Sequence, residues 1–109
     1  SEVQILSPRP TIEDRVYAGY MLAHRYNLRG RVQGVGFRYF TLQKARELGI
    51  RGWVRNSSSG DVEVCAEGCE EDMRNFLLHI GSGPTFAMVE EVNVQEVEPG
   101  KYQSFSICR

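Results

Sequence analysis

From Met21 to Val32 the chain alternates: Leu22, Tyr26, Leu28 and Val32 fall on one side, and Arg25, Asn27, Arg29 and Arg31 on the other. That period of two predicts a strand with one wet face. After Gly34, Val35 and Gly36 the spacing changes, and Phe37, Phe40, Thr41, Ala45 and Leu48 share one face of a helix that Gly49 stops. A short second strand begins near Arg51 and carries Trp53 and Val54; Asn56, Ser57, Ser58, Ser59 and Gly60 supply turn chemistry after it. Val62, Val64 and Ala66 mark the core face of a third strand. A second helix begins after Gly68, where Glu70, Glu71 and Asp72 complement the helix dipole. Met73, Phe76, Leu77 and Ile80 form its buried stripe, and Gly81 and Gly83 end it. A fourth strand over residues 87–97 contains Val92 and Val94, and a last one from Tyr102 puts Phe105 and Ile107 on one side. The predicted order is βαββαββ.

Two helices with one apolar stripe each can both be buried if they cover the same face of a sheet. The expected fold is therefore α+β: a ferredoxin-like two-layer sandwich with two helices on one face of a five-stranded, mainly antiparallel sheet. Residues 1–20 read as an N-terminal arm, because Ser7, Pro8, Arg9, Pro10 and Thr11 interrupt any periodicity. Met21 reads equally well as an alternative start. The arm receives no function, and residues 21–109 form the expected domain.

At 109 residues the chain fits one domain. Its formal net charge of −1 excludes the broad positive field of a typical nucleic-acid binder, so any anion site must be local. Cys65, Cys69 and Cys108 cannot all pair within one chain and show no CxxC spacing, which argues against a disulfide framework or a zinc site and for a reducing compartment. Without a secretory leader pattern or a run of about 18 apolar residues, the expectation is a cytoplasmic protein with no membrane partner. No apolar stripe is left over once both helices dock, so a monomer is expected.

The segment joining the first strand to the first helix, residues 28–38, contains no proline, so each of its amides can donate. Gly30, Gly34 and Gly36 permit backbone angles that turn successive N–H groups inward, making a concave anion site at a positive helix end. Arg38 adds a permanent charge whose guanidinium can take two phosphate oxygens in parallel. A tight strand-to-helix turn with a solvated arginine would account for the same residues, and the segment is neither GxGxxG nor a Walker loop.

The run GRVQGVGFR, residues 30–38, resembles the first signature of the acylphosphatase family. Gly52, Trp53, Val54, Arg55 and Asn56, followed by Gly60, Val62 and Gly68, resemble that family's second signature. The likeness spans residues 22–109 and leaves the arm outside. It implies a strand order of 4-1-3-2 with an extra edge strand. It also implies that Arg38 binds phosphate and that Asn56, 56 − 38 = 18 positions later, orients the attacking water. Gln33, Gly34, Val35, Gly36, Phe37 and Arg38 would hold the substrate phosphate. The implied substrate is a small acyl phosphate and the implied product inorganic phosphate, with no metal and no cofactor.

The chemistry of the residues agrees with that implication. An asparagine can accept from water and donate to a phosphoryl oxygen, but it cannot take a proton. That suffices for an acyl phosphate, whose carboxylate leaves without a general acid and whose loose transition state needs little nucleophilic push. Taken alone, Asn56 is also a favoured turn residue. Cys69 and Arg74 are five apart, not the six of a cysteine phosphatase loop, and the acids after Cys69 oppose a thiolate. His24 and His79 read as structural or surface residues, Glu63, Glu67, Glu70, Glu71 and Asp72 as solvated surface, and Phe37 and Trp53 as packing. Asp61 is the one carboxylate kept as an outer contributor. Two other functions compete. One is a non-catalytic module that binds acyl or carbamoyl phosphate within a larger protein; the other, an RNA-binding plait, is disfavoured because its aromatics would have to lie on central strands in basic surroundings.

Overall fold

The computed structural model describes residues 3–6, 21–100 and 102–109. Its elements run β1 (Gln4–Leu6), β2 (Met21–Arg31), α1 (Phe37–Leu48), β3 (Arg51–Asn56), β4 (Val62–Cys69), α2 (Glu70–Ser82), β5 (Met88–Glu96) and β6 (Phe105–Ile107). The sheet has six strands in the order β1-β5-β2-β4-β3-β6. Its inner order, β5-β2-β4-β3, is the expected plait, and β6 is the expected extra edge. The sixth strand was not expected: Gln4–Leu6 pairs parallel with β5, too short a run for periodicity to reveal. The proline-containing stretch of the arm lies outside the described residues.

Both helices cover one face. α1 packs over β3 and β6, and α2 over β2, β4 and β5. Between the layers lie Tyr26 and Leu28 of β2, Val62, Val64 and Ala66 of β4, and Val92 of β5, against Phe37 and Ala45 of α1 and Met73, Phe76 and Ile80 of α2. Each buried Val, Leu, Ile, Phe or Met side chain among them contributes about 1.5–3 kcal/mol. Thr41 sits in this apolar layer with its hydroxyl donating to the Phe37 carbonyl at 2.9 Å, so its polar atom is satisfied within its own helix. Gly49 caps α1 as expected, whereas Gly81 does not end α2. It is buried inside that helix, which continues to Ser82 and is capped by Gly83. Among the described residues no helix is long and apolar enough to cross a membrane.

The opposite face of the sheet corrects three expectations. Trp53 is not core: its indole is flanked by the guanidinium groups of Arg25, 5.6 Å from the ring, and Arg55, 4.9 Å away. Glu63 is not simply solvated, because its carboxylate accepts from Arg25 at 2.6 Å and from Arg55 at 3.0 Å. Glu67 is only 3% exposed and accepts from the backbone amides of Gly100 at 3.0 Å and Tyr102 at 3.3 Å. Counting charges along the sequence misses this, since cross-strand partners and a returning loop supply the donors. Ile107 shares its strand's inward side with Phe105 yet remains 38% exposed, because β6 is an edge strand.

At Gly30 the register of β2 against β5 shifts by one residue, passing over Glu90. Gly30 has φ 128°, and a Cβ there would overlap the Met88 carbonyl. Gly30→Ala is expected to cost about 2 kcal/mol or more, read as a fall in the thermal unfolding midpoint on the order of 10 °C. A midpoint equal to that of the parent would show that the strand tolerates a side chain there.

The hydrogen bond from Arg25, supported by Arg55, holds the Glu63 carboxyl below its ordinary value of 4.5. A carboxyl whose pKa is lower folded than unfolded stabilises the fold at pH values above the unfolded pKa. That contribution is lost as pH falls through the folded value. Glu63→Gln is therefore expected to be less stable than the parent at neutral pH, with the gap closing on acidification below the ordinary carboxylate range. Denaturant titrations across pH check this, and a gap independent of pH would refute it.

Candidate active site

Strand direction decides what meets at one rim. β2 runs antiparallel to β4, β4 antiparallel to β3, and β3 parallel to β6. The C-terminal ends of β2, β3 and β6 therefore point the same way. The loop after Arg31, Asn56 at the end of β3, and the residues after Ile107 are brought together. Val32, Gly34, Gly36, Phe37, Arg38, Tyr39, Asn56, Ile107 and Arg109 line a cavity of about 400 Å³ there.

The floor of this cavity is a helix end. Gly34 and Gly36 have φ 75° and 79°, in the left-handed region, and Gly36 is the N-cap of α1. The first amides of a helix have no partners within it. Gly36 has no side chain to cap them, and the first turn carries no acidic residue. α2 differs: Glu70, Glu71 and Asp72 crowd its first turn. In place of an acid, the first turn of α1 holds Arg38, a cation at the positive end of a helix dipole. Among the described residues Arg38 has no acidic partner, while Arg25, Arg29, Arg55 and Arg74 are all paired. Donors and positive charge converge on a space whose lining includes no acidic side chain.

Asn56 faces the same space from β3, and its side chain has no hydrogen-bond partner among the described residues. The turn that follows is closed by Ser57 N donating to the Asp61 carbonyl at 2.8 Å and Gly60 N donating to the Ser57 carbonyl at 3.1 Å. Asn27 Nδ2 donates to Asp61 Oδ2 at 2.7 Å, so that carboxylate braces the turn.

Of the residues expected to hold phosphate, Gly34, Gly36, Phe37 and Arg38 line the cavity. Gln33 and Val35 do not. The Gln33 side chain reaches the β3–β4 turn, and Val35 packs against the core. Tyr39, beside Arg38 in the first turn of α1, lines the cavity too; Ile107 and Arg109 also line it but carry no signal in the sequence, because only the parallel pairing of Val54 with Ile107 brings the last residues beside Asn56. Tyr39, 61% exposed, forms part of the wall.

The remaining candidates lie elsewhere. His24 is near the start of β2, its ring edge-on to Tyr26, and His79 is on the exposed side of α2. The Cys69 thiol donates to Asp72 at 3.1 Å, and Cys65, Cys69 and Cys108 are all free. Among the described residues no three His, Cys, Asp or Glu side chains are grouped so as to hold a metal.

The acylphosphatase family model matches residues 24–107. An acylphosphatase of Thermotoga maritima is 45% identical over 87 residues, covering 80% of this chain and 97% of that protein. The crystal structure of acylphosphatase from Bacillus subtilis superposes with a TM-score of 0.79 at 38% identity, covering 81% of this chain and 99% of that one. Full-length HypF in its phosphate- and nucleotide-bound form superposes with a TM-score of 0.78 at 36% identity, covering 83% of this chain but 12% of HypF. With a family model spanning most of its length, and a relative and a solved structure matched almost end to end, this chain belongs to the acylphosphatase family.

Proposed function

We propose that this chain hydrolyses the carboxyl–phosphate bond of small acyl phosphates to a carboxylate and inorganic phosphate, with Arg38 and Asn56 as its catalytic residues. The observation that supports this most is the shared cavity, in which a guanidinium without an acidic partner, a carboxamide and an uncapped helix end face one another. The amides around Gly34 to Arg38 and the Arg38 guanidinium bind the phosphoryl oxygens, and they match the charge spread over the three equatorial oxygens in the transition state. Asn56 accepts from a water and aligns it with phosphorus, opposite the leaving group.

The water oxygen forms the new bond to phosphorus while the bond from phosphorus to the acyl oxygen breaks, and the electron pair leaves on the carboxylate. The water proton passes to a phosphoryl oxygen. No covalent enzyme intermediate and no general acid are required, because a carboxylate is a good leaving group. Ordinary phosphate esters need their alkoxide protonated, and no cavity-lining side chain is an acid suited to that task.

Residues 21–109 form the catalytic domain in this reading, and the N-terminal arm, residues 1–20, adds the strand Gln4–Leu6 to the edge of its sheet. Three free thiols support a reducing, cytoplasmic setting, and the complete small site supports action as a monomer without nucleic acid or membrane. A second reading, a non-catalytic module binding acyl or carbamoyl phosphate in a larger protein, is supported by the likeness to HypF. Turnover by the chain alone separates the two.

Asn56→Ala is expected to lower turnover of benzoyl phosphate by roughly 10²- to 10³-fold while leaving inhibition by inorganic phosphate unchanged, and Arg38→Ala to damage both. Wild-type turnover in Asn56→Ala would remove the water-orienting role. Activity is also expected to survive EDTA, and its loss on chelation with recovery on added metal would reject the scheme.

A further inference from the structure

The Gln33 side chain leaves the loop that carries it. Its Nε2 donates to the Ser57 carbonyl at 2.7 Å and to the Asp61 carbonyl at 2.8 Å. A carboxamide nitrogen has two hydrogens, so both are committed to the turn, and none is left for a phosphoryl oxygen.

The two carbonyls lie at opposite ends of the turn after Asn56, and Ser57 follows Asn56 directly. The Asn56 backbone is held on its strand side by pairing with Val62 and on its other side by this turn. With no side-chain hydrogen-bond partner among the described residues, the Asn56 carboxamide takes its place from the position of its backbone and not from a polar neighbour.

We propose that Gln33 is a positioning residue, which sets the water-orienting Asn56 against the phosphate loop by gripping the turn beyond it. This rests on the role given to Asn56 above. One side chain thereby joins the two halves of the site: its backbone belongs to the loop that leads into α1, and its donors hold the segment that follows Asn56. Glutamate has the same length but no donors for two carbonyls, and methionine keeps the shape without polar atoms.

Three readouts test the proposal: kcat on benzoyl phosphate, inhibition by inorganic phosphate, and the thermal midpoint. Gln33→Met and Gln33→Glu are each expected to lose on the order of 10- to 100-fold in kcat, with phosphate inhibition unchanged. The Gln33→Met/Asn56→Ala double variant is expected to be no slower than Asn56→Ala alone, since a residue that acts through Asn56 has nothing to position once that side chain is gone.

Wild-type kcat in both single variants would overturn the proposal. So would phosphate inhibition weakening in step with kcat, which would make Gln33 part of the phosphate grip, or single losses that multiply in the double variant. Gln33→Glu supplies the same comparison if Gln33→Met does not fold. A loss in Asn56→Ala with none at Gln33 would remove only the positioning role. Full turnover in Asn56→Ala would remove the role of Asn56 and this proposal with it.

Discussion

The first turn of α1 is a helix end left without its usual compensation. Helix stability favours a capping side chain and a carboxylate at this position, and α2 carries three acids in its first turn. α1 has Gly36 at the cap and Arg38 in the first turn, so its amides and a guanidinium all seek an anion from outside the chain. Local choices that oppose stability are found where function requires them. In the proposed chemistry that deficit is the phosphate site: the positive field exists before substrate arrives, so little reorganisation is needed when charge develops on phosphorus.

Such a site must be set on rigid elements, because a loop alone would lose the alignment that in-line attack requires. β2 lies at the centre of the plait with a neighbour on each side, and it delivers the proposed phosphate loop at its end. Phe37, buried in the core, anchors the first helical residue. The loop is thus tied at both ends while its Gly34 and Gly36 backbone stays at the cavity surface. On the far side of the cavity Asn56 ends a strand and is followed by a turn closed on itself and braced from β2 by Asn27. Among the described residues Arg38 has no acidic partner and the Asn56 side chain no hydrogen-bond partner, while no buried side-chain nitrogen or oxygen is left without one.

The face of the sheet away from the helices shows the same economy with charge. Glu63 neutralises Arg25 and Arg55 together, and these flank Trp53, so an indole that would otherwise be exposed apolar surface is covered by cations. Glu67 is buried but holds the backbone before β6, which leads to the cavity. The acids near these arginines are consumed by structure, and Arg38 stands apart from them.

Periodicity and turn chemistry along the chain were enough for both helices, for five of the six strands, and for the layer order, because two helices with one apolar stripe each are both buried when they cover the same face of a sheet. The loop with Gly34, Gly36 and Arg38 was also legible, since glycines before a helix with an arginine in its first turn are local features. β1 was not, because three residues are too few for a period to show. Nor were the burial of Glu67, the setting of Trp53 or the wall formed by Ile107 and Arg109, which depend on partners far away in sequence. Whether Arg38 and Asn56 share a cavity depends on strand direction: an intervening antiparallel strand makes β2 and β3 end on the same rim, and hydrogen bonds across the sheet, not the residues of either segment, enforce that.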